Sequence, residues 1–454
     1  MKKGNILLLL SVLSVVIPSC RKAPKVQDEY PMFWTWLDYR SGMNFDSVCT
    51  VMNSVGIEGV LLNAPSPDAY REAIPVAKKH GLTVYAWLWT MNTEHDRDSL
   101  LKVHPEWFSV NRLGRSLADT MAYVDYYKFL CPAVPEVREY LNAKIESYCK
   151  IDGLDGIALD YHRFVDVVLP TFLWANYGVV QDREYPEWDF GYHPAMIEKF
   201  VSQYGYDPRD VEDPTMDLKW RQFRCDQITE VANLFAKTIH SYGKKMGASP
   251  FPTPKMASRM VRQDWGKWDL DIVFPMVYTG FYTMDPSFAY DCTVENMRDK
   301  NPMTALYCGL GISWEGRDDA IFDNMDQAFA AGAQGIAIFT VNDLKDPAIQ
   351  KRFRAYTDSL KTIRKNCGGK MPSVDIPQKA SADPFEHTGL MEQIDRKASS
   401  LAGHPVKLST YNLVKEFNVT KEYEAADSLS KDLYTVTFWF YGDIVSGWDV
   451  KKKQ

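Results

Sequence analysis

The stretch Leu154-Asp155-Gly156-Ile157-Ala158-Leu159-Asp160-Tyr161-His162-Arg163-Phe164 is a short apolar run that ends on an acid and passes at once into polar and aromatic groups. Near-continuous apolar runs suit strands covered on both faces, as in a parallel sheet. Seven more follow the same plan, at residues 32–37, 59–62, 83–89, 245–248, 271–278, 304–308 and 335–339. Longer amphipathic stretches alternate with them, at 45–54, 69–79, 135–150, 218–242, 294–298, 320–331 and 346–363. Gly56, Gly81, Gly243 and Gly332 stand at the ends of four of these, where a residue without a Cβ makes a left-handed cap easily. Eight alternating units predict an α/β fold, a (β/α)8 TIM barrel. The main competitor is a doubly wound sheet, which usually carries a Gly-rich phosphate loop after its first strand. Leu37-Asp38-Tyr39-Arg40-Ser41-Gly42 is no such loop.

The rest of the chain frames that barrel. Its 454 residues, 46% hydrophobic and 24% charged, exclude a disordered protein and allow a large core. A net charge of −7 provides no basic footprint, so no nucleic-acid partner is expected. Residues 1–20 read as an export signal, with Lys2 and Lys3 ahead of an apolar segment at 6–17. Ile17-Pro18-Ser19-Cys20 resembles the cleavage site of a bacterial lipoprotein, with Cys20 as the lipidated residue and membrane anchor. The alternative is an ordinary cleaved signal with an incidental cysteine. The other seven cysteines are scattered and form no C-x-x-C pair, which speaks against a disulfide scaffold or a structural zinc site. Buried free thiols are expected, and neither a metal nor an organic cofactor is implied. The barrel is expected over 27–366 and a linker over 367–383. A small α+β domain follows over 384–454, with helix-like stretches at 384–401 and 410–417 and a hairpin at 433–441 and 444–450. The longest insertion, 161–194, carries Trp174, Tyr177, Tyr185, Trp188, Phe190 and Tyr192, which suit either sugar stacking or a small core of their own.

In a barrel the reactive groups stand just past the C-terminal ends of the strands. Those positions hold Asp38, Asn63, Asn92, Glu94, Asp160, Ser249, Tyr278, Glu315, Asn342 and Asp343. Neither a Ser-His-Asp order nor an H-E-x-x-H helix is present. Carboxylates among Trp and Tyr suit glycosidic bond cleavage, in which one acid protonates the leaving oxygen and a second carboxylate acts as nucleophile or base. Asp160 is the principal candidate, against the plain reading of a loop or N-cap aspartate. Asp155, at the other end of the strand, reads as structural. His162 reads as a proton donor and Arg163 as a substrate-orienting cation, or else Arg163 pairs with Asp160 and lowers its pKa. Glu315, beside Trp314, is the candidate second carboxylate; Asp38, Glu94, Asp285 and Asp343 are its rivals. Trp36, Trp89 and Trp314 are candidate sugar platforms or, equally, core residues. Asn63 and Tyr278 are candidate substrate contacts.

Several segments together carry a family resemblance. They are His104-Pro105-Glu106-Trp107-Phe108, Pro132-Ala133-Val134-Pro135-Glu136-Val137-Arg138-Glu139-Tyr140, the stretch 155–164, Trp220-Arg221-Gln222-Phe223-Arg224 and Asp271-Ile272-Val273-Phe274-Pro275-Met276-Val277-Tyr278. Gly309-Leu310-Gly311 and Gly332-Ala333-Gln334-Gly335-Ile336 complete the set. Over about residues 30–350 the chain resembles the family-10-like glycosyl hydrolases, a bacterial group rich in lipoproteins, whose signature is D-G-I-x-L-D-Y-x-R-Y. The resemblance implies a barrel, activity on bacterial glycan strands such as peptidoglycan in some members, and Asp160 and Arg163 in the active site with Tyr278 nearby. Family 18 glycoside hydrolases carry D-G-I-D-L-D-W-E at the same strand, whereas here Ala158 and His162 replace one aspartate and the final glutamate. That departure speaks against a substrate-assisted chitinase unless His162 or another group supplies the proton. The expectation is a lipid-anchored glycoside hydrolase of the bacterial cell envelope, acting on an envelope glycan or an imported polysaccharide. Its alternative is an inactive barrel that only binds carbohydrate. Arg21-Lys22-Ala23-Pro24 carries no early acidic run, which points to the periplasmic face.

Overall fold

The computed structural model describes residues 30–283, 285–312, 314–375, 383–386, 388–442 and 444–453. The expected export signal with Cys20, the start of the expected barrel domain and residues 376–382 of the expected linker lie outside the described residues. Eight parallel strands form a closed barrel in sequence order. They are β1 (Phe33–Asp38), β2 (Gly59–Asn63), β3 (Thr83–Trp89), β4 (Gly156–Asp160), β5 (Lys245–Ala248), β6 (Ile272–Val273), β7 (Ala305–Gly311) and β8 (Gly335–Phe339). Closure runs through β1 and β8, with Phe33 opposite Ile336 and Thr35 opposite Ile338. Each predicted run is a strand, although β6 is short because Pro275 has no N–H to offer the ladder. The helix expected at 294–298 is longer, Phe288–Asp299, since Phe288, Ala289 and Cys292 in its first turns are also buried.

Aromatic rings fill the barrel floor. Trp34 meets Tyr85 and Phe274 edge to face at 4.9 and 5.3 Å, and Phe274 meets Tyr307 at 5.9 Å. Gly59 and Gly335 start their strands for this reason: a Cβ there would sit 2.3 Å from the Trp34 ring and 2.2 Å from Tyr307. Trp36 lies two residues beyond Trp34, on the same inward face. It is 1% exposed and its Nε1 donates to Ser249 Oγ at 3.0 Å. Trp36 is therefore core, and the expectation of a sugar platform there is corrected. Asp155 is structural, as expected: it accepts from the Val84 amide at 2.6 Å and pairs with Lys78 at the closed end of the barrel.

The tail is a four-stranded antiparallel sheet, β9 (Leu408–Phe417), β10 (Thr420–Asp427), β11 (Leu433–Tyr441) and β12 (Ile444–Lys452), in the order β12-β11-β10-β9. The helix Thr388–Ala402 packs Ile394 and Ala398 against Tyr434, Val436, Phe438 and Phe440. The helix expected at 410–417 is instead part of β9. Its partner β10 pairs Phe417 with Thr420 across Asn418 and Val419, a two-residue connection that folds the stretch back as a hairpin. Cross-strand pairing overrides local spacing here.

The sheet packs on the insertion after β4. The Thr171 amide donates to Tyr441 Oη, Thr420 Oγ1 donates to the Asp182 carbonyl, and Val419 packs against Val167 and Val168. A buried charge cluster holds the insertion in turn to the barrel helices. Asp189 takes Arg224 Nη1 and a Tyr192 Oη–H donor at 3.0 Å, while Arg262 pairs with Glu184 and stands 3.6 Å from Asp189. Cys49, Cys131, Cys149, Cys225, Cys292 and Cys308 are buried free thiols, whereas Cys367 is exposed.

Candidate active site

A cavity of about 830 Å³ opens at the C-terminal ends of the strands, and Asp160 reaches it from the last position of β4. Asp160 Oδ2 accepts from Trp87 Nε1 at 2.8 Å, and Oδ1 accepts from the Tyr161 amide at 2.6 Å. Both bonds favour the carboxylate, yet the residue is only 7% exposed. Burial outweighs them and pushes the pKa to about 6, with the charge of Glu94 adding to the rise. Arg163 lowers it through space but does not pair with it. The guanidinium instead donates to Asp166 Oδ2 at 2.8 Å and the Phe164 carbonyl at 2.9 Å, with Tyr127 Oη at 3.3 Å. The alternative reading of an Arg163–Asp160 pair with a lowered acid is thus replaced by an Arg163–Asp166 pair and a raised one. Rings of Tyr127, Phe129, Tyr161 and Phe251 surround that guanidinium at 5.0–5.7 Å.

Around the mouth the chemistry divides into two arcs. From β1 to β3 it is polar: Asn63 Nδ2 donates to Asp38 Oδ1 at 3.3 Å and to Glu94 Oε1 at 3.1 Å. His95 Nε2 stands 3.4 Å from Glu94 Oε2. One amide therefore holds two carboxylates together on the Asp160 cavity. From β6 to β8 it is aromatic, with Trp314 edge-on to Tyr278 at 4.3 Å and near Phe339 at 5.9 Å. Trp89 lies between the arcs, against the Tyr161 ring at 4.2 Å. Its Nε1 is buried and meets no acceptor among the described residues. Tyr161 takes a left-handed φ of 47°, a conformation costly for a bulky residue and found chiefly where function fixes the backbone.

Of the expected site residues, Asp160, Asp38, Asn63, Trp89, Glu94, Arg163, Tyr278 and Trp314 line one cavity. Two do not. His162 lies behind the barrel wall, its Nδ1 at 2.9 Å from Thr90 Oγ1 and its Nε2 at 3.0 Å from the Ile228 carbonyl. Burial holds it neutral, with a pKa pushed down to about 4, and its ring is not part of the cavity wall. Glu315 accepts from Asn324 Nδ2 at 2.7 Å and is absent from the cavity wall. Asp285 and Asp343 are occupied as local caps, by Ser287 and by Thr340. Replacement of Glu315 by Gln keeps an acceptor for Asn324, so turnover within about twofold of wild type is expected in a steady-state assay. Trp87, Tyr127 and Asp166 were not anticipated from the sequence. Trp87 shares the inward face of β3 with Trp89, and that alternation is the signal for it.

Residues 52–168, from the first helix to just past Asp166, match the family model described as glycosyl hydrolase-like 10. The matched segment contributes Asn63, Trp87, Trp89, Glu94 and Asp160 to the cavity wall. No curated protein sequence matches the chain. Among solved structures, it is similar to an α-galactosidase from Lactobacillus brevis, at 13% identity and a TM-score of 0.41. That alignment covers 91% of this chain and 46% of the galactosidase, so the chain spans under half of that protein's length. It is also similar to the glycoside hydrolase domain of a PelA variant from Pseudomonas aeruginosa, at 10% identity and a TM-score of 0.40, over 69% of this chain and 97% of that one. A GH30 endoxylanase from Clostridium papyrosolvens aligns at 10% identity and a TM-score of 0.37, over 91% of this chain and 82% of the xylanase.

Proposed function

We propose that the protein is a glycoside hydrolase with Asp160 as its principal catalytic carboxylate. The observation that carries this is a buried acid raised to about 6 on a cavity that also receives two carboxylates from β1 and the end of β3. Held near that value, Asp160 keeps enough of its proton to donate to a glycosidic oxygen and binds the proton weakly enough to release it. As the bond to the anomeric carbon breaks, Trp87 Nε1 and the Tyr161 amide already point at the carboxylate being formed. Positive charge then develops on the sugar ring. Glu94, oriented by Asn63 and His95, supplies the second carboxylate that attacks the ring or activates a water. Trp89, Trp314 and Tyr278 offer ring faces, and the unpaired Trp89 Nε1 offers a donor for a sugar hydroxyl.

The signal pattern around Cys20 supports the further reading of a lipid tether in the bacterial envelope, which keeps the barrel beside a polymer that does not diffuse. Reducing-end release tests the activity. Purified protein is assayed on peptide-free peptidoglycan strands, a soluble chitin derivative and plant polysaccharides, each from pH 4.5 to 8. Release from at least one is expected, with kcat/KM falling as pH rises through about 6, because Asp160 then loses the proton it donates. No release from any of them, or a rate flat across that range, contradicts the reading.

A further inference from the structure

The aromatic arc does not stop at the cavity. Trp314 lies 5.4 Å from Phe281, and Phe281 lies 6.3 Å from Phe172, centroid to centroid. Phe172 is outside the cavity wall and 61% exposed, whereas its neighbours Pro170 and Leu173 line the cavity. A single exposed apolar residue needs no explanation. An exposed ring that continues an aromatic row out of a site lined by carboxylates is a different matter, since such contiguous patches mark ligand grooves.

The segment that carries Phe172 is also held firmly. Thr171 gives its amide to Tyr441 of the tail sheet, and the Trp174 ring meets Trp439 at 5.8 Å while its Nε1 donates to the Leu169 carbonyl at 3.0 Å. Tyr441 also meets Tyr282 on the cavity wall at 6.5 Å. The tail sheet thus fixes the rim of the mouth from outside, and a ring so mounted keeps its place without being buried.

We propose that Phe172, Phe281 and Trp314 form an outer subsite for an extended glycan chain, and that the tail sheet positions it. The row from Tyr278 through Trp314 and Phe281 to Phe172 carries no charged side chain, so it suits the C–H faces of neutral pyranose rings several units from the bond at Asp160. The enzyme would then favour polymers over disaccharides. This rests on the mouth being a glycan site, and it holds whether or not the bond is cleaved.

The test is binding in the Asp160→Asn background, where cleavage is slowed at least about a hundredfold. Affinity electrophoresis is run through gels containing peptide-free peptidoglycan strands, a soluble chitin derivative or a soluble β-glucan, and titration with the matching disaccharides runs alongside. Retardation by at least one polymer is expected. Phe172→Ser should weaken polymer binding by about five- to tenfold and lower the ratio of polymer to disaccharide affinity. Tyr441→Phe, which removes only the hydroxyl that accepts from Thr171, should shift that ratio in the same direction by a smaller factor. Equal retardation of Phe172→Ser and its parent overturns the subsite, as does absence of retardation in every polymer. Phe172-dependent binding to lipid vesicles with no effect on polymer binding overturns it in favour of a membrane contact. Failure of hydrolysis appears separately, as an absence of product from the wild-type chain.

Discussion

Asp160→Asn is expected to lower turnover by about 10²–10⁴-fold, the range for loss of a general acid, while the protein becomes more resistant to unfolding at neutral pH. The two effects have one cause. A buried carboxyl whose pKa is raised from 3.8 to about 6 destabilises the native state once it is ionised. The wild type carries no such penalty below pH 4 and loses stability progressively as pH rises through about 6. The amide has no charge to bury, so the gap between variant and wild type should widen over that interval by on the order of 3 kcal/mol. The widening is the telling quantity, because Asn offers one acceptor to two donors, Trp87 Nε1 and the Tyr161 amide, at every pH. Thermal melts of both proteins at pH 4, 5, 6, 7 and 8 measure it. Parallel curves would mean that Asp160 is not a buried acid under strain.

Asp189→Ala is expected to be the most damaging substitution for stability, by about 3–5 kcal/mol. Asp189 is wholly buried and takes Arg224 and Tyr192, with Arg262 at 3.6 Å and Arg112 at 3.8 Å. Those guanidinium groups hold its carboxyl below the usual carboxylate range. Removal of the carboxylate strands Arg224 and Arg262, both wholly buried, with Glu184 as the remaining acid beside them. For a chain of this size the melting temperature should drop by roughly 5 °C. The same anion also secures the insertion that carries the cavity wall and the tail sheet, so glycan binding should weaken at temperatures where the barrel is still folded. Circular dichroism melts together with affinity electrophoresis separate the two losses. A variant within 1 kcal/mol of wild type would show that the cluster contributes little.

The barrel was legible in the sequence because strands buried on both faces read as apolar runs, and a run closed by Asp, Asn or Glu marks the end where side chains meet. Asp160, Asn63 and Asp38 were accessible to that logic. His162 was not. Tyr161 turns the chain left-handed directly after the strand, which sends the next side chain behind the wall, and no spacing rule foresees that turn. Glu315 and Glu94 both follow strands at similar remove, and only the third dimension places Asn324 under one and Asn63 beside the other. Trp36 and Trp89 differ likewise by depth within the mouth. In the tail, β9 looked helical because its partner β10 is defined by pairing rather than by composition.

Whether water is added across a glycosidic bond at this mouth is tested most directly by cleavage in oxygen-18-enriched water, followed by mass spectrometry of the fragments. Each cleavage by the wild-type protein should place one heavy oxygen at the newly formed reducing end of the fragment that held the broken anomeric carbon and none on the departing fragment, and Asp160→Asn should yield almost no labelled product. Unsaturated fragments without the label, or identical labelled yields from the two proteins, would contradict hydrolysis by Asp160.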